Sequence, residues 1–512
     1  LKPFWLKQLF CSSLSYCGSF CCLSGEAEMG CGASTPNHLK RFQIDGVAFN
    51  EGAIAFVTGT GQVVARGLAS HGGVLGGVVG RKLRQEPVKN IAATYCGAFA
   101  AVTLDGRVLA WGSKADGGEL TSVVDDLAKH KVKHIYSSYH AFAAVLDGGG
   151  VLTWGEKDWG GDCTSVRDKL QQQKVERLYS TAYAFAAVME DGSVVTWGDP
   201  KFGGELCVES RCEAAKGRSE ISNALSGKRV KRIVSTNYAF AAIMEDGSVV
   251  TWGDASAGGD SEKLQKWMSQ NAGTPAGQVK DIVSTQFLFA ALMESGDVVI
   301  WDKEPEFMIQ NTNCDFGLDG QKVSQLWAND GAFAAKLENG AVCTRGAKSV
   351  GGKISSQFQE ALLGKVVDIV PGNMAFAAIK TDGSVVTWGD PRFGGDSSSV
   401  QQVLSAGRVI RIIGAVCSFL AILDNGDVVP WGDLESGGDL EAGKTSYHLQ
   451  KACLKATSFC RYKPQPKVGV QAFDPHRDVL EPDTSYALAK SRREAAKEAA
   501  ARMNNEIRYY RQ

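Results

Sequence analysis

One motif recurs nine times between residues 50 and 440 of this 512-residue chain. Its clearest copy, AFAAVMEDGSVVTWGDPKFGG, runs from Ala184 to Gly204. One position of the motif, here named the aromatic slot, is tryptophan in seven copies and arginine in two, and successive slots lie 43 to 55 residues apart. In chain order the slots are Arg66, Trp111, Trp154, Trp197, Trp252, Trp301, Arg345, Trp388 and Trp431.

Three further positions keep a constant distance from the slot. Every copy has a glycine five residues before it, and every copy except the first, which has Ile54, has a phenylalanine twelve residues before it. A Gly-Gly pair begins six residues after the slot in every copy but one, where Phe307-Met308 follows Trp301. Chance similarity does not keep four positions at nearly constant spacing in nine copies, so the chain is built from one repeated unit.

Each unit predicts three short strands. The stretch Phe-Ala-Ala-Val before Asp-Gly or Asn-Gly, followed by Val-Val-Thr-Trp, indicates a β-hairpin, and the Asp-Gly pair favours a type I′ turn. About nineteen residues before most slots lies another apolar run, such as Val132 with Ile135 or Val230 with Ile233. This run predicts a third strand in the same unit.

The alanines of the hairpin indicate that both faces of each small sheet are buried, since a sheet with one wet face alternates apolar and polar residues. Sheets covered on both faces by their own copies, at this period, predict an all-β fold with radially stacked blades, a β-propeller. The Trp and Phe side chains would then pack between neighbouring blades, each indole burying about 200 Å². The polar stretches after the Gly-Gly pairs, such as Thr164 to Gln173, are compatible with a fourth strand or with a short helix.

The order of strand, Phe-Ala-Ala, Asp-Gly-x-Val, Trp-Gly and Gly-Gly resembles the regulator of chromosome condensation type of repeat, over roughly residues 45 to 445. The resemblance implies a β-propeller, and the family includes the Ran exchange factor. The family usually has seven blades and often a His two residues before the Phe position. Nine units predict either one large ring or a seven-bladed ring with extra units. The His position here holds Gly97, His140, Tyr183, Tyr238, Phe287, Gly331, Met374 and Cys417.

Composition limits the classes of partner and the compartment. A net charge of −1 shows no bias toward nucleic acid, so a nucleic-acid partner is not expected. The 14 cysteines form no CxxC pair, and those within the repeats lie mostly singly, which favours reduced thiols and a cytoplasmic chain.

The N-terminal segment, residues 1–44, contains a candidate acylation site. Met29 is followed by Gly30, Cys31 and then Ser34, which fits the pattern for myristoylation of Gly30 with a second acyl chain on Cys31. Two chains give stable anchoring, so this reading predicts a tether to the cytosolic face of a membrane. It requires residues 1–28 to be absent from the mature protein. The alternatives are a secretory signal with its apolar region at Leu9 to Leu23, and an uninformative tail.

After the repeats, assigned to residues 45–445, a linker at 446–482 precedes a helix predicted at 483–512. Residues 485–512 hold seven basic and three acidic side chains. This helix is either solvated or in electrostatic contact with a partner or an anionic membrane surface.

No set of residues with catalytic spacing is present, so the protein is expected not to be an enzyme. Ligand histidines four residues apart need a helix to share one face, whereas His134 and His140 lie in or beside predicted strands, so His130, His134 and His140 do not predict a zinc site. The Asp residues of the Asp-Gly turns are turn formers, and neither a metal nor a cofactor is expected. A third and weaker functional alternative is a hydrolase or lyase with a central pocket, for which the sequence offers no set of catalytic residues.

The leading functional prediction is a non-catalytic scaffold that presents loops to a protein partner. The longest variable segment, about Glu205 to Gly227, is the candidate contact loop, and a tolerated surface insertion is the alternative. Its candidate partner-binding residues are Arg211, Lys216, Arg218 and Glu220. The second functional prediction, which rests on the resemblance alone, is an exchange or regulatory factor for a small GTPase.

Overall fold

The structure is a computed structural model that describes residues 47–57, 61–206, 221–301, 320–355, 360–363, 366–414, 418–425 and 427–433. The chain divides into two compact units, Leu1–Arg461 and Tyr462–Gln512, and every described residue belongs to the first. The predicted N-terminal segment, linker and basic helix lie outside the described residues.

Nine three-stranded antiparallel sheets, here named blades 1 to 9, follow one another along the chain, and in each the strands are paired in chain order. The prediction of an all-β fold of about nine propeller-type repeats is therefore confirmed. The strands are Val47–Phe49, Ala53–Val57 and Val63–Gly67 (blade 1); Val88–Thr94, Ala98–Thr103 and Val108–Gly112 (2); Val132–Ser137, Ala141–Leu146 and Val151–Gly155 (3); Val175–Ser180, Ala184–Met189 and Val194–Gly198 (4); Val230–Ser235, Ala239–Met244 and Val249–Gly253 (5); Val279–Ser284, Phe289–Met293 and Val298–Trp301 (6); Val323–Ala328, Ala332–Leu337 and Val342–Gly346 (7); Val366–Pro371, Ala375–Lys380 and Val385–Gly389 (8); Ser418–Leu423 lies between Val409–Gly414 and Val428–Gly432 in blade 9.

The middle strand of a blade is buried on both faces, as its alanines predicted. In blade 4 every residue of Ala184–Met189 is buried. Phe185 pairs with Trp197 on the third strand, and their ring centroids stack 5.4 Å apart. The small Ala side chains let two neighbouring sheets approach this strand from both sides, because no bulky group separates the backbones.

The hairpin turns differ from the predicted type I′ turn. In blade 4, Gly192 N donates to Met189 O at 2.8 Å and Met189 N donates to Ser193 O at 2.9 Å. This pattern belongs to a three-residue loop in which a type I turn is followed by one glycine in the left-handed region, and Gly192 has φ +86°. The turn needs only that single glycine. The hydroxyl of Ser193 and, to a lesser extent, its main-chain N–H donate to the Asp191 carboxylate, which lowers the pKa of Asp191.

Short helices follow the Gly-Gly pairs, which decides between the two alternatives for the polar stretches. Each helix buries a single leucine between blades, as Leu170 does beside Trp197. The α-helices whose bounds both lie within the described residues are Gly77–Gln85, Val124–Lys129, Arg167–Gln172, Glu262–Gln270 and Gln401–Leu404. The 3-10 turns are Ala69–His71, Lys157–Trp159, Thr164–Val166, Pro200–Phe202, Ala255–Ala257, Pro275–Gly277, Lys348–Val350, Pro391–Phe393 and Ser398–Val400.

Consecutive blades are joined through the first glycine of the Gly-Gly pair. Gly203 ends the 3-10 turn after blade 4 with φ +98°, and a Cβ there would lie 2.6 Å from the Phe240 ring of blade 5. Trp252 of blade 5, which is fully buried, donates its indole N–H to Gly203 O at 3.2 Å. The same bond, at 3.0 to 3.1 Å, joins Trp111 to Gly72, Trp154 to Gly117, Trp197 to Gly160, Trp301 to Gly258 and Trp431 to Gly394.

The first strands of consecutive blades lie side by side, and a ladder of main-chain hydrogen bonds connects the loops that follow them. Tyr139 N donates to Ala182 O at 3.1 Å, and Ala182 N donates to Asn237 O at 3.0 Å. The ladder continues through Gln286 and Asp330 to Asn373, so one residue per blade donates its N–H to the next blade and accepts at its C=O from the preceding blade. Buried backbone groups in these loops are thereby satisfied by the next blade rather than by water.

Replacing Gly203 by Ala is expected to destabilise the protein more than replacing Gly247 by Ala. Both glycines have positive φ, +98° and +80°, so both substitutions incur about 1 to 2 kcal/mol of backbone strain. Only at Gly203 does the new Cβ meet a buried ring, whereas nothing lies within 4 Å at Gly247. We expect a further loss of about 1 to 3 kcal/mol for Gly203→Ala, measured as the free energy of unfolding in urea. Equal losses for the two variants would contradict this account of the blade contact.

Replacing Trp252 by Phe is expected to destabilise the protein more than replacing Trp388 by Phe. Both indoles are buried, but Trp388 Nε1 finds no acceptor among the described residues. Trp252→Phe therefore loses a hydrogen bond, while Trp388→Phe removes an unsatisfied buried donor. The two unfolding free energies should differ by about 1 to 2 kcal/mol. A larger loss for Trp388→Phe would show that the indole N–H bond contributes little to blade packing.

Candidate protein-interaction face

One edge of the blades, here named the turn face, is formed by two elements of each repeat. Where the structure describes them, they are the loop between the first and second strands and the turn after the third strand, which is a 3-10 turn in blades 1, 3, 4, 5, 7 and 8. In blades 3 to 6 the loops carry His140, Tyr183, Tyr238 and Phe287 at the same register, two residues before the Phe position or its equivalent. The 3-10 turns after blades 3 and 4 add Trp159 and Phe202.

These six side chains form a continuous line, here named the aromatic row. The ring centroids of His140 and Tyr183 lie 6.2 Å apart, those of Tyr183 and Tyr238 lie 5.9 Å apart, and those of Tyr238 and Phe287 lie 5.3 Å apart. Trp159 contacts His140 at 4.3 Å, and Phe202 lies 4.9 Å from Tyr183 and 5.1 Å from Tyr238. The row therefore crosses four blades without interruption.

A buried hydroxyl in each loop fixes the two elements that carry the rings. In blade 4, Thr181 Oγ1 accepts from Tyr183 N at 3.3 Å and donates to Phe202 O at 3.1 Å. In blade 5, Thr236 Oγ1 makes the equivalent bonds to Tyr238 N and Ala257 O. The rings of the row are thus held by the backbone of their own blade, which reduces the entropy lost when a partner binds.

Every ring of the row is partly buried, so each packs on its neighbours and keeps part of its surface accessible. Aromatic side chains are enriched in protein interfaces, and pre-ordered Tyr and Trp anchors contribute much of the binding energy there. An uninterrupted row of this kind on one face has the composition of an interaction surface.

The charges beside the row are mixed in sign. Lys201 Nζ lies 5.5 Å from the Phe202 ring centroid, in cation–π geometry. Burial raises the pKa of Asp199, although its carboxylate caps the 3-10 turn by accepting from Lys201 N at 2.9 Å. Burial, and to a lesser extent Asp254, raises the pKa of Tyr238, which keeps this phenol neutral at physiological pH. The face carries no field of one sign, which fits a protein surface better than a polyanion.

The structure places the seven Trp slots in the blade contacts and none of them in the aromatic row. Gly30 and Cys31, and the candidate loop residues Arg211, Lys216, Arg218 and Glu220, lie outside the described residues, so these assignments stay predictions. The sequence did contain the signal for the row, since aromatic residues recur in consecutive copies at the His position and five residues after the slot. That signal was not interpreted as a surface.

In the described blades, one group of three side chains has the residue types and spacing to hold a metal ion, namely Cys96, Asp116 and His140 at one end of the row. The expectation of no metal site had considered His140 only with His130 and His134. Within the described part of the chain, no helix has the length and apolar character needed to cross a membrane.

Comparison with known protein families and with curated proteins finds no match. Among solved structures, the chain is similar to Prp20p from Saccharomyces cerevisiae, with 15% identity over 73% of this chain and 90% of that chain and a TM-score of 0.35. It is similar to yeast RCC1 (Prp20) in the structure with Kap60, with 14% identity over 77% of this chain and 80% of that chain and a TM-score of 0.34. Human WBSCR16 matches with 13% identity over 75% and 87% of the two chains and a TM-score of 0.35.

Proposed function

We propose that this protein is a non-catalytic repeat scaffold that binds a protein partner through the aromatic row of its turn face. The observation that carries the proposal is the unbroken line of six rings over four blades, each ring in contact with the next. The core of the fold does not require these rings, because the same loop position in blades 2 and 7 holds Gly97 and Gly331. The fold does not determine which residue stands at this position, so the half-buried rings found there support a role in binding.

Two features of the sequence extend this proposal. The resemblance to the regulator of chromosome condensation type of repeat supports a small GTPase as the partner class, with the scaffold acting as an exchange or regulatory factor. Gly30 and Cys31 support a tether that holds the scaffold at the cytosolic face of a membrane. The segment from Glu205 to Gly227 is retained as an alternative contact loop.

The row is tested by quantitative capture from native cell lysate, with the full chain as bait and with the double variant Tyr183→Ser, Tyr238→Ser. We expect the variant to lose the captured partner by about tenfold or more, because the loss of two buried anchors typically exceeds 1.4 kcal/mol. The matched control is Leu104→Ser, since Leu104 is 65% exposed in the hairpin turn at the opposite end of its blade's middle strand. This control should capture as the wild type does.

The same experiment separates the alternatives. The folded double variant should be compared with a variant in which Glu205 to Gly227 is replaced by a Gly-Ser linker. If the double variant captures the partner as the wild type does and the linker variant does not, the partner binds the loop, and the proposal that it binds the aromatic row is wrong. A captured small GTPase whose binding depends on the added nucleotide would support the exchange or regulatory role. Mass spectrometry of the bait expressed from Met29 in a cell competent for myristoylation tests the tether, and an unmodified Gly30 would exclude it.

A further inference from the structure

Where blade 2 meets blade 3, three reactive side chains come together on the turn face. Cys96 lies in the loop after the first strand of blade 2, and Asp116 lies in the turn that follows its third strand. His140 occupies the equivalent loop of blade 3, 44 residues after Cys96. All three are partly buried, so they are ordered by the fold and still reachable from solvent.

The imidazole of His140 bridges the other two groups. Its Nε2 lies 3.5 Å from Cys96 Sγ, and its Nδ1 lies 2.7 Å from Asp116 Oδ1. Ser113 donates its hydroxyl to the other oxygen of the same carboxylate. The order thiol, imidazole, carboxylate places a nucleophile against a base, and the base against a group that orients it.

The repeats provide an internal control for this arrangement. One blade further on, the positions of Cys96, Asp116 and His140 hold Tyr139, Trp159 and Tyr183. The main chain is the same in both places, since Cys96 N donates to Tyr139 O and Tyr139 N donates to Ala182 O, each at 3.1 Å. The fold therefore does not require a thiol, a carboxylate and an imidazole here.

We propose that Cys96 is a reactive thiol activated by His140, with Asp116 as a positioning residue, and that it is a site of modification by small disulfides. His140 Nε2 accepts the thiol proton, and the sulfur of Cys96 attacks one sulfur of the disulfide. The S–S bond of the disulfide breaks as the Cys96 mixed disulfide forms. The released thiolate takes the proton from the imidazolium, so one disulfide and one thiol give one mixed disulfide and one thiol.

The contacts of the His140 ring favour this relay over a metal centre. Asp116 Oδ1 lies 2.7 Å from Nδ1 and Cys96 Sγ lies 3.5 Å from Nε2, so the carboxylate and the thiol each contact a different nitrogen of the ring. Ligand atoms of the three residues lie within 4.8 Å of one another, so a metal ion with three protein ligands is the alternative that the test must separate. A carboxylate on Nδ1 instead fixes the tautomer in which Nε2 is free to accept a proton.

The surroundings of the partly buried Cys96 are largely apolar or aromatic. Cys96 packs against Tyr95, Tyr139 and Ala182. The other titratable or charged groups nearby are Tyr183 of the same cluster, His71 against Gly97, and the exposed ion pair of Lys114 with Glu119.

Two other described cysteines are natural references. Burial raises the pKa of Cys163, and it raises the pKa of the partly buried Cys343 to about 11. Neither thiol has a histidine contact of the kind seen at Cys96, so both should react slowly at neutral pH.

The test is the rate of mixed-disulfide formation in the reduced full chain with oxidised glutathione at neutral pH, resolved by peptide mass spectrometry. We expect Cys96 to react about tenfold or more faster than Cys343. His140→Tyr, which installs the residue that blades 4 and 5 hold at this position, should lower the Cys96 rate about tenfold while the protein stays folded. Asp116→Asn should lower the rate, and Asp116→Glu should restore part of it. Imidazole added to His140→Gly should also restore part of the rate.

Leu104→Ser, in the exposed hairpin turn at the opposite end of the middle strand of blade 2, should leave the Cys96 rate unchanged. An equal rate at Cys96 and Cys343 in the wild type, or an unchanged Cys96 rate in folded His140→Tyr, would overturn the proposal. Protection of Cys96 by one equivalent of Zn²⁺ in the wild type, with no protection in His140→Tyr, would also overturn it in favour of a metal site. The measurement uses the chain alone, so its outcome is independent of the partner proposal.

Discussion

The bond from a tryptophan indole to a glycine carbonyl of the preceding blade is the contact on which the repeat depends. It works together with the phenylalanine that packs on the same glycine, where a Cβ would collide with the ring. The exceptions follow the same rule. Arg66 replaces Trp in the first of the nine copies, and Arg345 replaces it in the copy that follows Phe307-Met308 instead of Gly-Gly. A tryptophan thus occurs where a Gly-Gly pair precedes it, and in six of these seven blades the first glycine of the pair accepts the indole bond. Trp388 is the exception, since its Nε1 finds no acceptor among the described residues.

The residues that hold neighbouring blades together are different from the residues whose side chains lie on the turn face. The slot, the Phe position and the Gly-Gly pair hold neighbouring blades together, and a ladder of main-chain bonds joins the loops of the turn face. Side chains in those loops are then free to differ from blade to blade, since the ladder uses only backbone groups. From His140 to Phe287 the side chains of these loops are aromatic, and His140 also contacts Cys96 and Asp116. The proposed binding surface and the proposed reactive thiol therefore lie on the same edge of the blades.

Much of the blade could be predicted from the sequence because its determinants are local or periodic. The three strands, the burial of both faces by Ala184 to Val188, and the position of Trp197 between blades follow from composition and register. The type of turn was predicted wrongly, because Asp-Gly is compatible with two loop lengths and only the bonds between Met189, Gly192 and Ser193 distinguish them. The stretch Thr164 to Gln173 was ambiguous for a similar reason, since a short polar segment is decided by the single leucine it buries.

The amino-acid sequence by itself determined that this protein is a series of nine equivalent sheets, because the side chains that pack one blade on the next recur at constant spacing. It also determined which residues vary within that frame. Only the tertiary structure decided which of those residues meet. Cys96 and His140 are 44 residues apart, and Tyr183 and Tyr238 are 55 apart, so their contacts arise from the stacking of blades and not from local sequence. Long-range proximity of this kind depends on how the repeats pack, and no pattern within one repeat specifies it.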